Sequence, residues 1–453
     1  MVLKTSLNGE IFNFSSVKEV LAKANEERSG DRLAGVIANS NKERVAAKVV
    51  LANLTVNDIF NNPIVPYEID YVTRMIVDGI DRGAFNKVKN LTIGDLREKL
   101  LNFETNVHEI NALSAGLSSE VIAAVAKLMS NLDLIYAANK IIVEKTCVTT
   151  IGKPKTFSAR LQPNHPSDNV KGIMASVMEG LSFGIGDAVI GLNPVIDTWQ
   201  SVKAVLDEFE NFRTKWQIPT QTCVLAHVKT QIEAMKKGAK TGLVFQSIAG
   251  SQKGNEAFGF NADDIEEARQ LALAQGIANG ESVMYFETGQ GAELSSDSHY
   301  GADQVTMEAR CYGFAKKFNP FLVNTVVGFI GPEYLYDGKQ VIRAGLEDHF
   351  MGKLHGLSMG CDVCYTNHMI ADQNDAENLA VLLGTAGVNF IIGVPNGDDV
   401  MLNYQSTGYH ETATIRELLG KRPIKEFEMW LEKTGIMKDG RLTELAGDGS
   451  IFC

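Results

Sequence analysis

The chain has 453 residues, 45% apolar and 22% charged, with a formal net charge of −12. That composition is globular and long enough for one large domain plus a smaller one, and the acidic balance speaks against a nucleic-acid backbone as partner. No apolar run approaches the roughly 20 residues that cross a bilayer, Met1–Ser6 lacks a signal-peptide core, and the six scattered cysteines form no disulfide framework, which fits a reducing, cytoplasmic compartment.

Residues 1–150 read as a helical N-terminal region. Ser16-Val17-Lys18-Glu19 has capping-box form ahead of Val20, Leu21 and Ala24. Residues 41–54 carry Ala, Val, Lys and Arg at helical spacing, and Thr92 and Asp95 can cap the segment with Leu96, Leu100 and Leu101. Residues 118–140 read as the longest helical stretch, with Val121, Ala124, Val125, Leu128 and Met129 on one stripe. The expected role of this region is packing without chemistry.

From about residue 155 short apolar runs alternate with amphipathic stretches. The runs fall at 156–161, 187–192, 223–227, 242–245, 283–286, 322–329, 356–359 and 389–394. The stretches fall at 170–181, 195–216, 230–237, 263–278, 303–317, 338–353, 372–383 and 411–419. Such alternation implies parallel strands with right-handed crossovers. Eight units predict an α/β fold, a (β/α)8 TIM barrel over 151–420, followed by a C-terminal helix and tail at 421–453. An open doubly wound sheet is the second choice, and no nucleotide-loop signature supports it.

The run Val283-Met284-Tyr285-Phe286 leads straight into Glu287 and then Gly289-Gln290-Gly291. A run without alternation is a strand buried on both faces, which puts Glu287 at its carboxyl end, where barrels do their chemistry. The other strand ends carry Arg160 and Gln162, Asn193 before Pro194, His227, Gln246 and Ser247, Asp362, and Asp398-Asp399. Strand six offers apolar Val326 and Phe329. Two carboxylates, one guanidinium and several amides suit a small polar ligand with a positive charge and a hydrogen-bonding group.

Sharper motifs fail on spacing. Cys361 and Cys364 have CxxC spacing, but no second pair or His pair accompanies them, so no metal site is expected. Gly184-Ile185-Gly186 and Gly289-Gln290-Gly291 lack the third glycine of a dinucleotide loop. His227, His349, His355 and His368 show no ligand pattern, and Glu308 and Arg310 are expected to pair on a helix. Asp297-Ser298-His299-Tyr300-Gly301 falls one residue short of Asp-x-His-x-x-Gly, a cobalt-ligating motif of some cobalamin proteins. Glu287 and Asp362 could serve a glycosidase, but Trp199, Trp216 and Trp430 lie in predicted helices, away from the rim. A non-catalytic binding subunit is the other alternative.

Several long stretches resemble the ethanolamine ammonia-lyase large-subunit family: Thr156 through Pro163, Gly186 through Gly191, Tyr285 through Gly291, Asn324 through Tyr336, Gly345 through Leu354, and Met359 through Asp362. The likeness covers essentially the whole chain. It implies an adenosylcobalamin-dependent radical lyase, base-on, that converts ethanolamine to acetaldehyde and ammonia. The family's substrate positions match here as Arg160, Gln162, Asn193, Glu287 and Asp362, with catalytic roles for Glu287, Arg160 and Asp362. Its cobalamin contacts match as Pro194, Gln246, Ser295 and Met401, and its apolar wall as Phe258, Val326, Phe329 and Leu402. Ile392 stands where the family commonly has Met. The resemblance also implies a small-subunit partner, homodimers of the large subunit assembled as trimers in a hetero-dodecamer, and placement in a bacterial microcompartment, with no nucleic-acid or membrane partner.

Overall fold

Eight short parallel strands form the centre of the molecule: β1 (Ser158–Leu161), β2 (Val189–Leu192), β3 (Thr222–Val224), β4 (Val244–Ser247), β5 (Met284–Thr288), β6 (Leu322–Val326), β7 (Met359–Asp362) and β8 (Phe390–Gly393). The structure is a computed structural model that describes residues 1–328, 331, 333–401 and 404–453. Phe329 and Leu402, expected in the apolar wall, lie outside the described residues. Nearly every strand residue is buried, which explains the apolar runs without alternation.

Neighbouring strands run β3-β2-β1-β8-β7-β6-β5-β4. The pairing of β8 with β1 rolls the sheet into an almost closed barrel, and one seam remains, between β3 and β4. Among the described residues no backbone ladder crosses it. Side chains span it instead. Gln231 accepts from Phe245 N at 3.1 Å and donates to the carbonyls of Ala226 and Phe245 at 2.6 and 2.8 Å. Thr241 Oγ1 donates to Thr222 O at 3.1 Å.

A helix follows each strand: α1 (Val170–Ser182), α2 (Trp199–Trp216), α3 (Val228–Lys236), α4 (Ala262–Ala274), α5 (Gln304–Lys316), α6 (Gly338–Leu354), α7 (Gln373–Ala386) and α8 (Tyr409–Leu419). The final helix spans Lys425–Thr434. Two strand bounds differ from expectation. The run at 356–359 gives way to a strand at Met359–Asp362, because Gly356, at φ +81°, is spent ending α6. The run at 223–227 stops at Val224, and His227 caps α3, accepting from Lys229 N at 3.2 Å.

The N-terminal part is mostly helical but opens with a hairpin, Lys4–Leu7 against Glu10–Asn13. Its turn is Asn8-Gly9, both at positive φ, the signature of a two-residue hairpin. Ser16 caps its helix by accepting from Glu19 N at 3.1 Å, while Glu19 reaches Ser15 N instead of closing the box. The stretch 118–140 is two helices, Ser119–Lys127 and Asn131–Asn139. A capping box, Ser130 with Asp133, starts the second.

Two buried cations tie this part to the barrel. Arg310 on α5 donates to Asp70 at 2.7 Å and Glu120 at 2.5 Å. Lys127 donates to Asp303, Thr306 and the Leu21 carbonyl at 2.7, 2.7 and 3.0 Å. The expected Glu308–Arg310 pair does not form, since residues two apart point to different sides of a helix. Glu308 instead accepts from Tyr312 at 2.7 Å and from Thr288. Among the described residues no helix is long and apolar enough to cross a membrane.

Candidate active site

Arg160, fully buried, reaches across the barrel from β1. Its Nη1 donates to Glu287 Oε1 and to Tyr285 Oη, each at 2.8 Å. Its Nη2 donates to Asn193 Oδ1, and its Nε to the Gly191 carbonyl at 3.3 Å. A Cβ at Gly191 would lie 3.1 Å from Arg160 Nε, so any larger residue would press on the guanidinium. The guanidinium also stands over the Tyr285 ring, 5.5 Å from its centroid. Burial works against its charge, but Tyr285 and Glu287 outweigh it and hold the group above its ordinary range.

Glu287 Oε1 collects two more donors, Tyr285 Oη at 3.1 Å and Asn324 Nδ2 at 3.3 Å. Sheet register makes this possible. Ser247, Glu287, Asn324 and Gly360 lie side by side across β4 to β7, with Val326 and Asp362 one layer nearer the mouth. One layer below, Tyr285 packs edge-on against Phe245 and Phe390, at 5.5 and 6.5 Å between centroids. Gly360 makes room for the Phe390 ring. These aromatics form the floor.

Asp362 is the second carboxylate. Its oxygens accept from Tyr404 Oη at 2.5 Å and Ser406 Oγ at 2.6 Å. Burial above all pushes its carboxyl up to about 6, with Glu287 adding to the rise and the two hydroxyls and Arg160 opposing it. A third acid, Asp399, accepts from Gln162 Nε2 at 2.5 Å and Asn164 Nδ2 at 2.8 Å. Asn164 Oδ1 in turn takes Asn193 N at 2.8 Å, which fixes the residue that meets Arg160.

A cavity of about 220 Å³ lies among these groups, lined by Gln162, Asn193, Glu287, Asp362, Ser247 and Tyr404, with Pro194, Leu225, Phe245, Val326 and Met401 as its less polar wall. Two buried amide oxygens of the site, Gln162 Oε1 and Asn324 Oδ1, have no hydrogen-bond partner among the described residues. Buried polar atoms are nearly always paired, so each of these oxygens can accept one more donor, and Gln162 does so at the cavity wall. Beyond Pro194 and Met401 the surface is apolar and open: Val195 is 46% exposed, Ile196 49% and Val400 53%.

The structure thus brings together Arg160, Gln162, Asn193, Glu287, Asp362, Ser247, Pro194, Val326 and Met401. It does not bring His227 in, whose Nε2 pairs with the Phe258 carbonyl at 2.9 Å. Gln246 is engaged at both ends, accepting from Val228 N and donating to Ser247 O, each at 2.9 Å. Ser295, exposed, ends a short helix, Ala292–Ser295. Ile392 is fully buried on β8, in register with Arg160. Tyr285, Asn324, Tyr404 and Ser406 are site groups that the strand-end reading missed, whereas Asp399 was among the strand ends it named. For Asn324 a signal existed: it lies two residues before Val326 and so shares its inward face.

The family described as "Ethanolamine ammonia lyase large subunit (EutB)" matches residues 12–445. The ethanolamine ammonia-lyase large subunits of Escherichia coli strain K12 and Salmonella typhimurium strain LT2 are each 60% identical over 452 residues, covering 100% of both chains. Among solved structures, Plasmodium falciparum HPPK-DHPS aligns over 74% of this chain and 61% of its own, at 10% identity and a TM-score of 0.31, too loose a likeness to build on. Matched at this identity over its whole length, the chain belongs to the ethanolamine ammonia-lyase large-subunit family.

Proposed function

We propose that the chain is the substrate-binding, catalytic subunit of an adenosylcobalamin-dependent lyase that converts ethanolamine to acetaldehyde and ammonia. The observation that carries this reading is one cavity lined by two carboxylates, Glu287 and Asp362, and by the amide of Gln162, with the buried Arg160 guanidinium bonded to Glu287 behind it. Ethanolamine is an ammonium joined to a hydroxyl, and this set complements both ends. Glu287 and Asp362 hold the ammonium, helped by Gln162 Oε1. Arg160 and Asn193 orient the hydroxyl and the migrating amine. The low dielectric of the site strengthens each of these contacts, and fixed groups need no reorganisation as charge moves. The aromatic floor keeps water from reaching the substrate from below.

The open apolar collar of Val195, Ile196 and Val400 fits a wide, flat group laid over the cavity. Pro194, Gln246, Ser295 and Met401 would hold adenosylcobalamin there, with Phe258 and Val326 as apolar contacts of the active site. When bound base-on, the cofactor supplies the radical chemistry that opens an unreactive C–H bond; the chain supplies binding, orientation and shielding. The same reading takes 1–150, 151–420 and 421–453 as the domain bounds. It adds a small-subunit partner, paired large subunits assembled as trimers, and a place in a bacterial microcompartment for ethanolamine breakdown.

Anaerobic electron paramagnetic resonance on the chain co-expressed with the small subunit tests the reading. Adenosylcobalamin and ethanolamine together should give an organic radical signal that requires substrate, with acetaldehyde released. A folded, cofactor-loaded complex that gives neither would overturn it.

A further inference from the structure

Gln290 stands between two glycines in the turn that leaves β5, just past Glu287. Gly291 has φ +103° and lies so close under Tyr334 that a Cβ would be 2.6 Å from that side chain. Flanking glycines leave the turn little stiffness of its own. Its position is set by the Gln290 side chain, which is 1% exposed. Oε1 accepts from Arg28 Nε at 2.6 Å, and Nε2 donates to Asp348 Oδ1 at 2.7 Å. The other Asp348 oxygen accepts from Thr325 Oγ1 at 2.8 Å. Thr325 is the outward-facing neighbour of Asn324, and Asn324 donates to Glu287. In the sheet, Asn324 is in register with Glu287 and Thr325 with Thr288.

These links form a closed ring: Glu287, the turn, Gln290, Asp348, Thr325, Asn324, and back to Glu287. Arg28, from the N-terminal part, holds the ring from behind. Its Nη2 is bonded to Glu347, which Arg343 also holds at 2.6 Å. Arg28, Asp348, Thr325 and Asn324 are all fully buried.

We infer that Arg28, acting through Gln290, is a positioning residue for Glu287, fixing where that carboxylate stands against β6 without touching substrate. The inference rests on the reading of Glu287 as an ammonium-binding group. The chemistry of position 290 supports it. An amide accepts from a guanidinium and donates to a carboxylate at once, which neither Glu nor Lys can do. A Leu there would strand both Arg28 Nε and Asp348 Oδ1. Burial pushes the Asp348 carboxyl up to about 7, against the pull of Gln290 and Thr325, so both donors matter to it. A displacement of about 1 Å in a positioned group can cost on the order of 100-fold in rate.

The test is steady-state kinetics on the complete complex with cofactor, comparing Gln290→Leu, Arg28→Lys and Thr325→Val, with Glu287→Gln as reference. Each of the first three should raise KM for ethanolamine roughly tenfold, with circular dichroism and bound cofactor unchanged. A purely structural role would lower the amount of active enzyme and leave KM alone, and that result overturns the inference. If Gln290→Leu does not fold, Arg28→Lys, which keeps a charge beside Glu347, and the isosteric Thr325→Val decide it. A KM shift in Glu287→Gln alone sinks the relay only. A wild-type KM in Glu287→Gln sinks the substrate-site reading and the relay with it.

Discussion

Two buried arginines, Arg160 and Arg310, invite comparison. Both are fully buried, and both meet carboxylates. Arg310, between the N-terminal part and the barrel, sits in a closed account of donors and acceptors. Asp70, Glu120, Thr73 Oγ1 and the Gly250 carbonyl take its hydrogens, and no part of the arrangement faces a cavity described above. Arg160 is as well bonded, but its surroundings keep spare capacity, with Glu287 and the Gln162 amide lining an open volume. Buried charge alone therefore does not mark a site. Unused hydrogen-bonding capacity next to a cavity does.

The largest effect that separates the two regions is on stability. Arg310→Met would leave Asp70 and Glu120 buried without their cation and should cost about 3–5 kcal/mol, read by urea denaturation. Activity at low temperature should survive in the folded fraction. A loss under 1 kcal/mol (roughly what an exposed pair contributes) would mean that this region is not the structural counterpart we describe.

Glu287→Gln should do the reverse. It keeps the volume and one acceptor for Arg160, so denaturation should shift less than in Arg310→Met, although a buried cation loses its charged partner. Turnover should fall on the order of 100- to 1,000-fold, the scale on which one preorganised electrostatic group acts, as measured by acetaldehyde release. Near-normal kcat/KM would place the ammonium elsewhere.

The smallest and most diagnostic effect is the pH dependence of Asp362. Its folded value, about 6, lies above the 3.8 of a free Asp side chain. Its contribution to stability is therefore whole below about pH 4 and is lost as pH rises through 6. The loss in the empty site amounts to about 3 kcal/mol at most. A bound cation favours the ionised form, so the melting-temperature gain from ethanolamine should be greater near pH 7.5 than near pH 5, and kcat/KM should fall as pH drops through 6. Equal gains at both pH values would remove Asp362 from the cation site.

Much of the fold was legible because parallel strands buried on both faces leave dense apolar runs, and helix caps leave Ser, Asp and Asn in fixed places. Where legibility failed, the cause was local. Gly356 reads equally well as a strand start or a helix stop, and only packing decides. Ser130-Asn131-Leu132-Asp133 was a readable capping box inside a long helical pattern, as Asn8-Gly9 was a readable hairpin turn. In the site, groups at strand ends could be found because the chain position names them. Tyr404 and Ser406 could not, because they arrive from a loop after β8 and meet Asp362 only in three dimensions. Asn324 was passed over inside a strand, although its place two residues before Val326 put it on the same inward face. Arg28 is more remote still, 262 residues from Gln290.

The edge-on rings of Tyr285, Phe245 and Phe390 turn the barrel into a cul-de-sac. A molecule that goes in cannot leave through the far end. Substrate and product share one doorway, so a new guest waits until the last has gone, and whatever covers the mouth sets the timing of both arrivals and departures.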